Sequence, residues 1–155
     1  MTIPTEGEKA PTFTLPTDSG EVNTADFIGK KNLVLYFYPK DSTPGCTTEG
    51  KDFSDLSSQF AKANTEIIGI SKDSVESHCK FKGKYDFNFA LASDADSDVC
   101  ERFGVWVEKN MYGKKYMGIQ RASFLIGTDG TIAKAWPKVK VNGHAAEVLE
   151  AAQAL

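Results

Sequence analysis

Six consecutive residues, Leu33-Val34-Leu35-Tyr36-Phe37-Tyr38, are aliphatic or aromatic with no polar position among them. A half-exposed strand alternates polar and apolar residues, whereas a run like this has no face to offer water. It predicts a central strand in a sheet covered on both sides. Pro39 closes it, because proline cannot donate to a sheet ladder. The run is far too short to cross a bilayer, which takes ~20 residues. With 155 residues the chain has the size of one domain, 1–155, and can bury enough surface to need neither metal nor disulfide.

The remaining pattern alternates strand and helix signals. A short hairpin is expected from Phe13 to Val22 around Asp18-Ser19-Gly20. Thr43-Pro44 reads as a helix N-cap followed by proline at the first helical position. Cys46, Glu49, Phe53, Leu56 and Phe60 step by three and four, which predicts one continuous helix face. Ile67 to Ile70 gives a second buried strand, Ser74 to Tyr85 a helix, and Leu91 a short third strand. Asp94 to Phe103 reads as a short helix with acidic residues in its first turn. Ala122–Ile126 and Thr131–Trp136 flank Thr128-Asp129-Gly130, a hairpin signal, and Asn142–Leu155 reads as a closing helix. Two βα units imply parallel crossovers, and the late hairpin adds antiparallel strands. The expected class is α/β: a mixed central sheet with helices on both faces.

Composition and charge exclude several functions. The formal net charge is −3, which disfavours nucleic-acid binding. Residues 1–20 lack a basic segment followed by an apolar stretch, and no Asn-x-Ser/Thr acceptor occurs, so a cytoplasmic, reducing setting is expected. The two histidines and three cysteines show no paired ligand spacing, and no glycine-rich phosphate loop occurs. Neither a metal nor any other cofactor is therefore expected. The cysteines are Cys46, Cys79 and Cys100, too few for a disulfide scaffold and odd in number.

Cys46 stands out by its context, Pro39-Lys40-Asp41-Ser42-Thr43-Pro44-Gly45-Cys46-Thr47-Thr48-Glu49. A strand ends, a loop turns, and a helix starts with a thiol in its first turn. Unpaired N–H groups and the positive end of the helix dipole favour a thiolate there. Thr43 as N-cap would bring its hydroxyl near the Cys46 amide, and Gly45 would let a substrate approach the backbone. Glu49, one turn on, could hold a cation beside the sulfur. A buried cysteine that merely packs is the alternative, but packing gives no reason for Thr-Pro-Gly ahead of it.

Pro39-x-x-x-Thr43-x-x-Cys46 resembles the active-site signature of peroxiredoxins, and the string Tyr36 to Glu49 resembles the peroxiredoxin Q, or bacterioferritin comigratory protein, subfamily. Asn110-Met111-Tyr112-Gly113-Lys114 and Gly118-Ile119-Gln120-Arg121-Ala122-Ser123-Phe124-Leu125-Ile126 agree, as does Ala10-Pro11-x-Phe13. The resemblance implies a thioredoxin-like fold and a thiol peroxidase acting on hydrogen peroxide and organic hydroperoxides. Cys46 would be the peroxidatic cysteine. Thr43 would hydrogen-bond thiolate and peroxide, Arg121 would approach the sulfur, Pro39 would shield it, and Glu49 would orient Arg121. Thioredoxin or a similar dithiol protein would be the reductant, and the chain would be a monomer.

The resemblance also bears on the second thiol. Many members carry a resolving cysteine five residues after the first, where this chain has Lys51. Others place it in the next helix, which here bears Cys79 between His78 and Lys80. Cys79 is thus the expected resolving residue, and reaching Cys46 would require the first turn at Cys46 and part of the Cys79 helix to unwind. A one-cysteine cycle with an external thiol is the alternative. Cys100, clustered with Val99 and Phe103, reads as packing. A general disulfide oxidoreductase and a non-catalytic thioredoxin-fold module are the rival functions, although a Cys-x-x-Cys pair is missing.

Overall fold

The computed structural model describes residues 3–155. The N-terminal hairpin pairs β1 (Thr14–Thr17) with β2 (Gly20–Asn23), and a 3-10 turn (Thr24–Phe27) leads into β3 (Asn32–Phe37). Every residue of β3 is buried, as its unbroken apolar run requires. Then follow α1 (Pro44–Asp55), α2 (Ser57–Lys62), β4 (Thr65–Ser71), α3 (Val75–Tyr85) and β5 (Ala90–Ser93). The second half holds α4 (Val99–Arg102), β6 (Trp106–Met111), β7 (Lys114–Ile119), β8 (Ala122–Ile126), β9 (Ile132–Trp136) and α5 (His144–Gln153).

The main sheet has seven strands in the order β2-β1-β5-β4-β3-β8-β9. β3, β4 and β5 run parallel, joined by helical crossovers, while β8, β9 and the N-terminal hairpin are antiparallel. This is the mixed α/β sheet expected from the sequence. On one face Val34, Tyr36 and Tyr38 pack with Cys46 and Phe53 of α1, Phe60 of α2, Phe81 of α3 and Val148 of α5. On the other, Leu33, Leu35 and Phe37 pack with Phe13, Val99, Cys100, Phe103 and Phe124. Successive β3 residues thus feed opposite cores, which is what places the chain leaving β3 between them.

The structure corrects two expectations and adds one element. The stripe from Cys46 to Phe60 is not one helix: the chain breaks at Leu56 (φ −98°, ψ 2°) and restarts as α2. Ser54 and Ser57 flank the break, and their hydroxyls are acceptors for the Asn88 backbone and side-chain N–H groups at 3.1 and 3.4 Å. Short polar side chains favour such ends. Residues 94–98 are not helical. Asp94 instead folds back, accepting from Val99 N–H (3.1 Å) and Cys100 N–H (2.8 Å), so its carboxylate faces the start of α4 from outside it. Finally, β6 and β7 form a separate two-stranded ribbon that the hydrophobic pattern did not announce. Its turn, Tyr112-Gly113, has positive φ at both residues (53° and 79°), the backbone of a tight hairpin.

One glycine fixes how α1 seats. A Cβ on Gly50 would lie 2.6 Å from the Phe87 ring. The helix therefore approaches the aromatic cluster Phe81, Phe87 and Phe89 more closely than any larger residue would permit.

Candidate active site

After β3, Tyr38 and Pro39 lead to a left-handed residue, Ser42 (φ 63°), which turns the chain back into α1. Thr43 is the N-cap (φ −86°, ψ 154°) and Pro44 the first helical residue. The first helical bond is Thr47 N–H to Thr43 C=O at 2.9 Å, so the N–H groups of Gly45 and Cys46 come before any intrahelical partner. Thr43 differs from expectation. Its side chain makes no capping bond; the hydroxyl donates to Lys40 C=O at 2.8 Å, which ties the loop upon itself.

Cys46 is buried, at 1% exposure, and meets Arg121. The guanidinium Nη2 donates to Cys46 Sγ at 3.3 Å, and Nη1 donates to Glu49 Oε1 at 2.6 Å. One planar fork thus joins two groups a helical turn apart, which a lysine could not do. β3 pairs with β8 so that Phe37 faces Ala122, and Arg121 stands just before that pair, beside the end of β3. Gly45 makes room for it: a Cβ there would sit 3.2 Å from Nη2. Beside the substrate access expected of this glycine, the geometry gives it a second use, the close approach of the guanidinium. Pro39 is half-buried directly after Tyr38.

Glu49 is 1% exposed, and its Oε2 has no partner among the described residues. Burial pushes its carboxyl up to about 7, against the pull of Arg121. Tyr36 lies beneath: it stacks on Phe53 at 4.7 Å, and its hydroxyl is buried and unpartnered. Gly69 of β4 leaves the space for that hydroxyl, which a Cβ would approach to 2.9 Å.

His144, at the start of α5, lies between Phe53 and Trp136, and its Nε2 is 2.8 Å from Ser123 Oγ. Burial lowers its pKa from 6.5 to about 4. The unfolded chain therefore binds more protons between those values, and stability falls as pH drops from about 6.5 toward 4. Urea unfolding at pH 7.5 and 4.5 should show the advantage of wild type over His144→Gln shrinking by ~1–3 kcal/mol at the lower pH. Glu49 acts in the opposite sense: its stabilising proton is lost as pH rises from about 4.5 through 7. It is present in both proteins and cancels in the difference. An advantage equal at both pH values would refute the burial of a neutral ring.

All three thiols are free. Cys79 is exposed on α3, with Sγ 3.8 Å from Asp18 C=O. The neighbouring side chains are engaged elsewhere: Lys82 Nζ pairs with Asp18 Oδ2 at 2.7 Å, Lys80 Nζ with Glu76 Oε1 at 3.4 Å, and His78 points inward, fully buried. Cys100 is buried, as expected, and burial together with Asp94 pushes its thiol pKa far up. Lys51 is exposed, its ammonium 5.5 Å from the centre of the Tyr85 ring. Sequence reasoning gave no role to Asp41 or to His78 as a pair. Asp41 is buried, and its Oδ2 is 2.7 Å from His78 Nδ1. In the sequence Asp41 is one polar residue of a loop, and periodicity does not register it. Among the described residues no cluster could hold a metal ion, and no helix is long and apolar enough to cross a membrane.

Comparison with known proteins agrees over nearly the whole chain. Residues 6–135 match the family model described as the AhpC/TSA family. A putative peroxiredoxin bcp of Coxiella burnetii is 57% identical over 143 residues, 92% of this chain and 95% of that protein. Peroxiredoxin Bcp of Bacillus subtilis is 50% identical over 145 residues, 93% of this chain and 92% of that one. Among solved structures, a Xanthomonas campestris bacterioferritin comigratory protein, studied for its alkyl peroxide reduction activity, superposes with a TM-score of 0.86 at 49% identity, covering 92% of this chain and 90% of that one. A Xylella fastidiosa PrxQ mutant gives 0.91 at 42% identity, with 97% and 96% covered.

Proposed function

This chain belongs to the AhpC/TSA family and is a peroxiredoxin of the Q, or bacterioferritin comigratory protein, group; from that premise we propose that Cys46 is its peroxidatic residue and Cys79 its resolving one. Thiol peroxidase activity comes with the family. The observation that carries the residue assignment is the single guanidinium joined to both Cys46 Sγ and Glu49.

The thiolate of Cys46 attacks one peroxide oxygen. The S–O bond forms as the O–O bond breaks, and the second oxygen leaves as alkoxide or hydroxide and takes up a proton. Negative charge moves from sulfur to that oxygen. Arg121 and the free N–H groups at the head of α1 lie where they can follow it without rearranging. Thr43 supports the loop, and its hydroxyl oxygen keeps accepting capacity toward a bound peroxide. Gly45 admits the guanidinium, Glu49 orients it, and Pro39 walls the loop.

Cys79 then attacks the sulfenic sulfur of Cys46. An S–S bond forms, the S–O bond breaks, and hydroxide leaves as water after protonation. A disulfide needs Cα atoms ~4.4–6.8 Å apart, and on this reading the buried thiol on α1 reaches the exposed one on α3 by local opening of both helices. A dithiol protein such as thioredoxin returns both thiols, with its own pair oxidised. Hydrogen peroxide and organic hydroperoxides are the proposed substrates, the latter supported by the alkyl peroxide reduction of the Xanthomonas relative. The cycle runs in a monomer, in a cytoplasm that keeps such thiols reduced.

Peptide mapping after one equivalent of hydrogen peroxide tests the assignment. A Cys46–Cys79 disulfide is expected. A Cys46–Cys100 bond, or a sulfenic acid that persists until an external thiol is added, would overturn the resolving role.

A further inference from the structure

Asp41 lies where the segment leading to Cys46 meets the helix bearing Cys79. Its side chain is 3% exposed. Oδ1 accepts from Tyr38 OH at 2.6 Å, and Oδ2 accepts from Ser77 Oγ at 2.8 Å and faces His78 Nδ1 at 2.7 Å. Its own N–H donates to Asp73 Oδ2 at 2.9 Å. Tyr38 and Asp41 belong to the chain between β3 and α1; Ser77 and His78 lie in the first turns of α3. The other ring nitrogen of His78 faces Ala92 C=O of β5 at 3.0 Å, so the ring is held by an oxygen at each end. Asp73 is the second carboxylate nearby and is engaged by Ser71 Oγ at 2.6 Å. Among the described residues no lysine or arginine pairs with Asp41. The network is therefore a closed knot with one purpose visible in its connectivity: it ties the Cys46 loop to α3.

We infer that Asp41 is a positioning residue for the resolution step, a buried latch that holds the Cys46 loop and α3 closed while peroxide reacts and releases them together for disulfide formation. The inference rests on the reading that Cys79 resolves. His78 and Cys79 are neighbours on α3, one turned inward and the other outward. Unwinding the helix far enough to bring Cys79 to the Cys46 sulfur swings His78 off Asp41. The buried hydrogen bonds of the latch thus oppose opening, and their strength sets how long the sulfenic acid waits. During that wait a second peroxide can carry Cys46 to the sulfinic acid. The latch moves no electrons; it divides the sulfenic acid between disulfide and over-oxidation.

The test uses the full chain carrying Asp41→Asn, with Ser77→Ala as a milder variant that leaves the Asp41–His78 pair in place. Rapid-quench alkylation with intact-mass detection should show disulfide formation about tenfold faster in Asp41→Asn and about threefold faster in Ser77→Ala. The rate constant for the first reaction with hydrogen peroxide should stay within about twofold, and the peroxide concentration that half-converts Cys46 to sulfinic acid should rise in step with the disulfide rate. Hydrogen exchange should quicken together in residues 39–47 and 75–85. In a Cys79→Ser background, Asp41→Asn should leave sulfinic acid formation unchanged. An unchanged or slower disulfide step, a comparable loss in the peroxide step, or an equal effect without Cys79 would overturn the latch. If wild type forms no Cys46–Cys79 disulfide, the resolving assignment itself fails. Exchange then decides the latch alone: joint quickening of the two segments keeps it, and separate behaviour overturns it.

Discussion

Serine at position 46 is expected to bring hydroperoxide consumption down to background, a loss on the order of 10⁴–10⁶-fold, the scale at which covalent catalysts lose their nucleophile. The side chains are nearly the same size, so the buried pocket against Phe53 and Tyr36 should survive. What is lost is a polarisable thiolate; an alcohol beside Arg121 stays un-ionised at neutral pH and does not cleave an O–O bond. The other two thiols give the contrast. Cys100→Ser should leave turnover unchanged, since that thiol is sealed in the opposite core beside Asp94, which together with burial keeps it protonated. Cys79→Ser should retain the first, stoichiometric reaction and lose turnover with thioredoxin. Stopped-flow peroxide consumption resolves these cases. Residual turnover above about one tenth in Cys46→Ser would remove the assignment of the attacking sulfur.

Arg121→Ala is expected to slow the peroxide step by about 10²–10³-fold, the range for deleting one preorganised donor at a site of developing charge. Two losses combine. The sulfur forfeits its guanidinium partner, and Glu49 is left buried without the cation that faced it, so its carboxyl shifts further toward the protonated form. Arg121→Lys separates these contributions. A lysine carries the charge but not the fork, and cannot hold Sγ and Glu49 Oε1 at once. Its rate should fall between wild type and alanine. Second-order rate constants with hydrogen peroxide, beside far-ultraviolet circular dichroism to verify folding, decide the matter. A lysine variant as fast as wild type would mean that charge alone suffices, and an alanine variant within tenfold would remove Arg121 from the chemistry.

The parts of the molecule governed by local chemistry were the legible ones. Leu33 to Phe37 announced a doubly covered strand because no residue among them tolerates water. Thr43-Pro44 announced a helix start, since proline's missing N–H costs nothing there. Parts governed by partners distant in sequence were not. The stripe through Leu56 kept helical spacing across a break whose flanking serines are engaged by Asn88, more than thirty residues on. Asp94 looked like a first-turn acid but reaches α4 from outside. The β6–β7 ribbon is mostly solvent-facing, so no buried face imposed a period on it. Arg121 had the local context of a charge at a strand end, and only the family resemblance placed it at Cys46. The Asp41 knot draws on the loop after β3, α3 and β5, and no linear pattern encodes such a meeting.

The pairing of Phe37 with Ala122 has a consequence for when the site comes into being. The arginine that meets the sulfur lies 75 residues beyond it and arrives beside it by virtue of a strand register. A slip of one residue would send that arginine to the far side of the sheet. During synthesis, Cys46 therefore leaves the ribosome as an ordinary cysteine and stays one until β8 has been made and zipped against β3. If Cys46 attacks peroxide as proposed, that reactivity reports a closed sheet, because a chain whose β8 has not paired with β3 carries the same thiol without the guanidinium beside it.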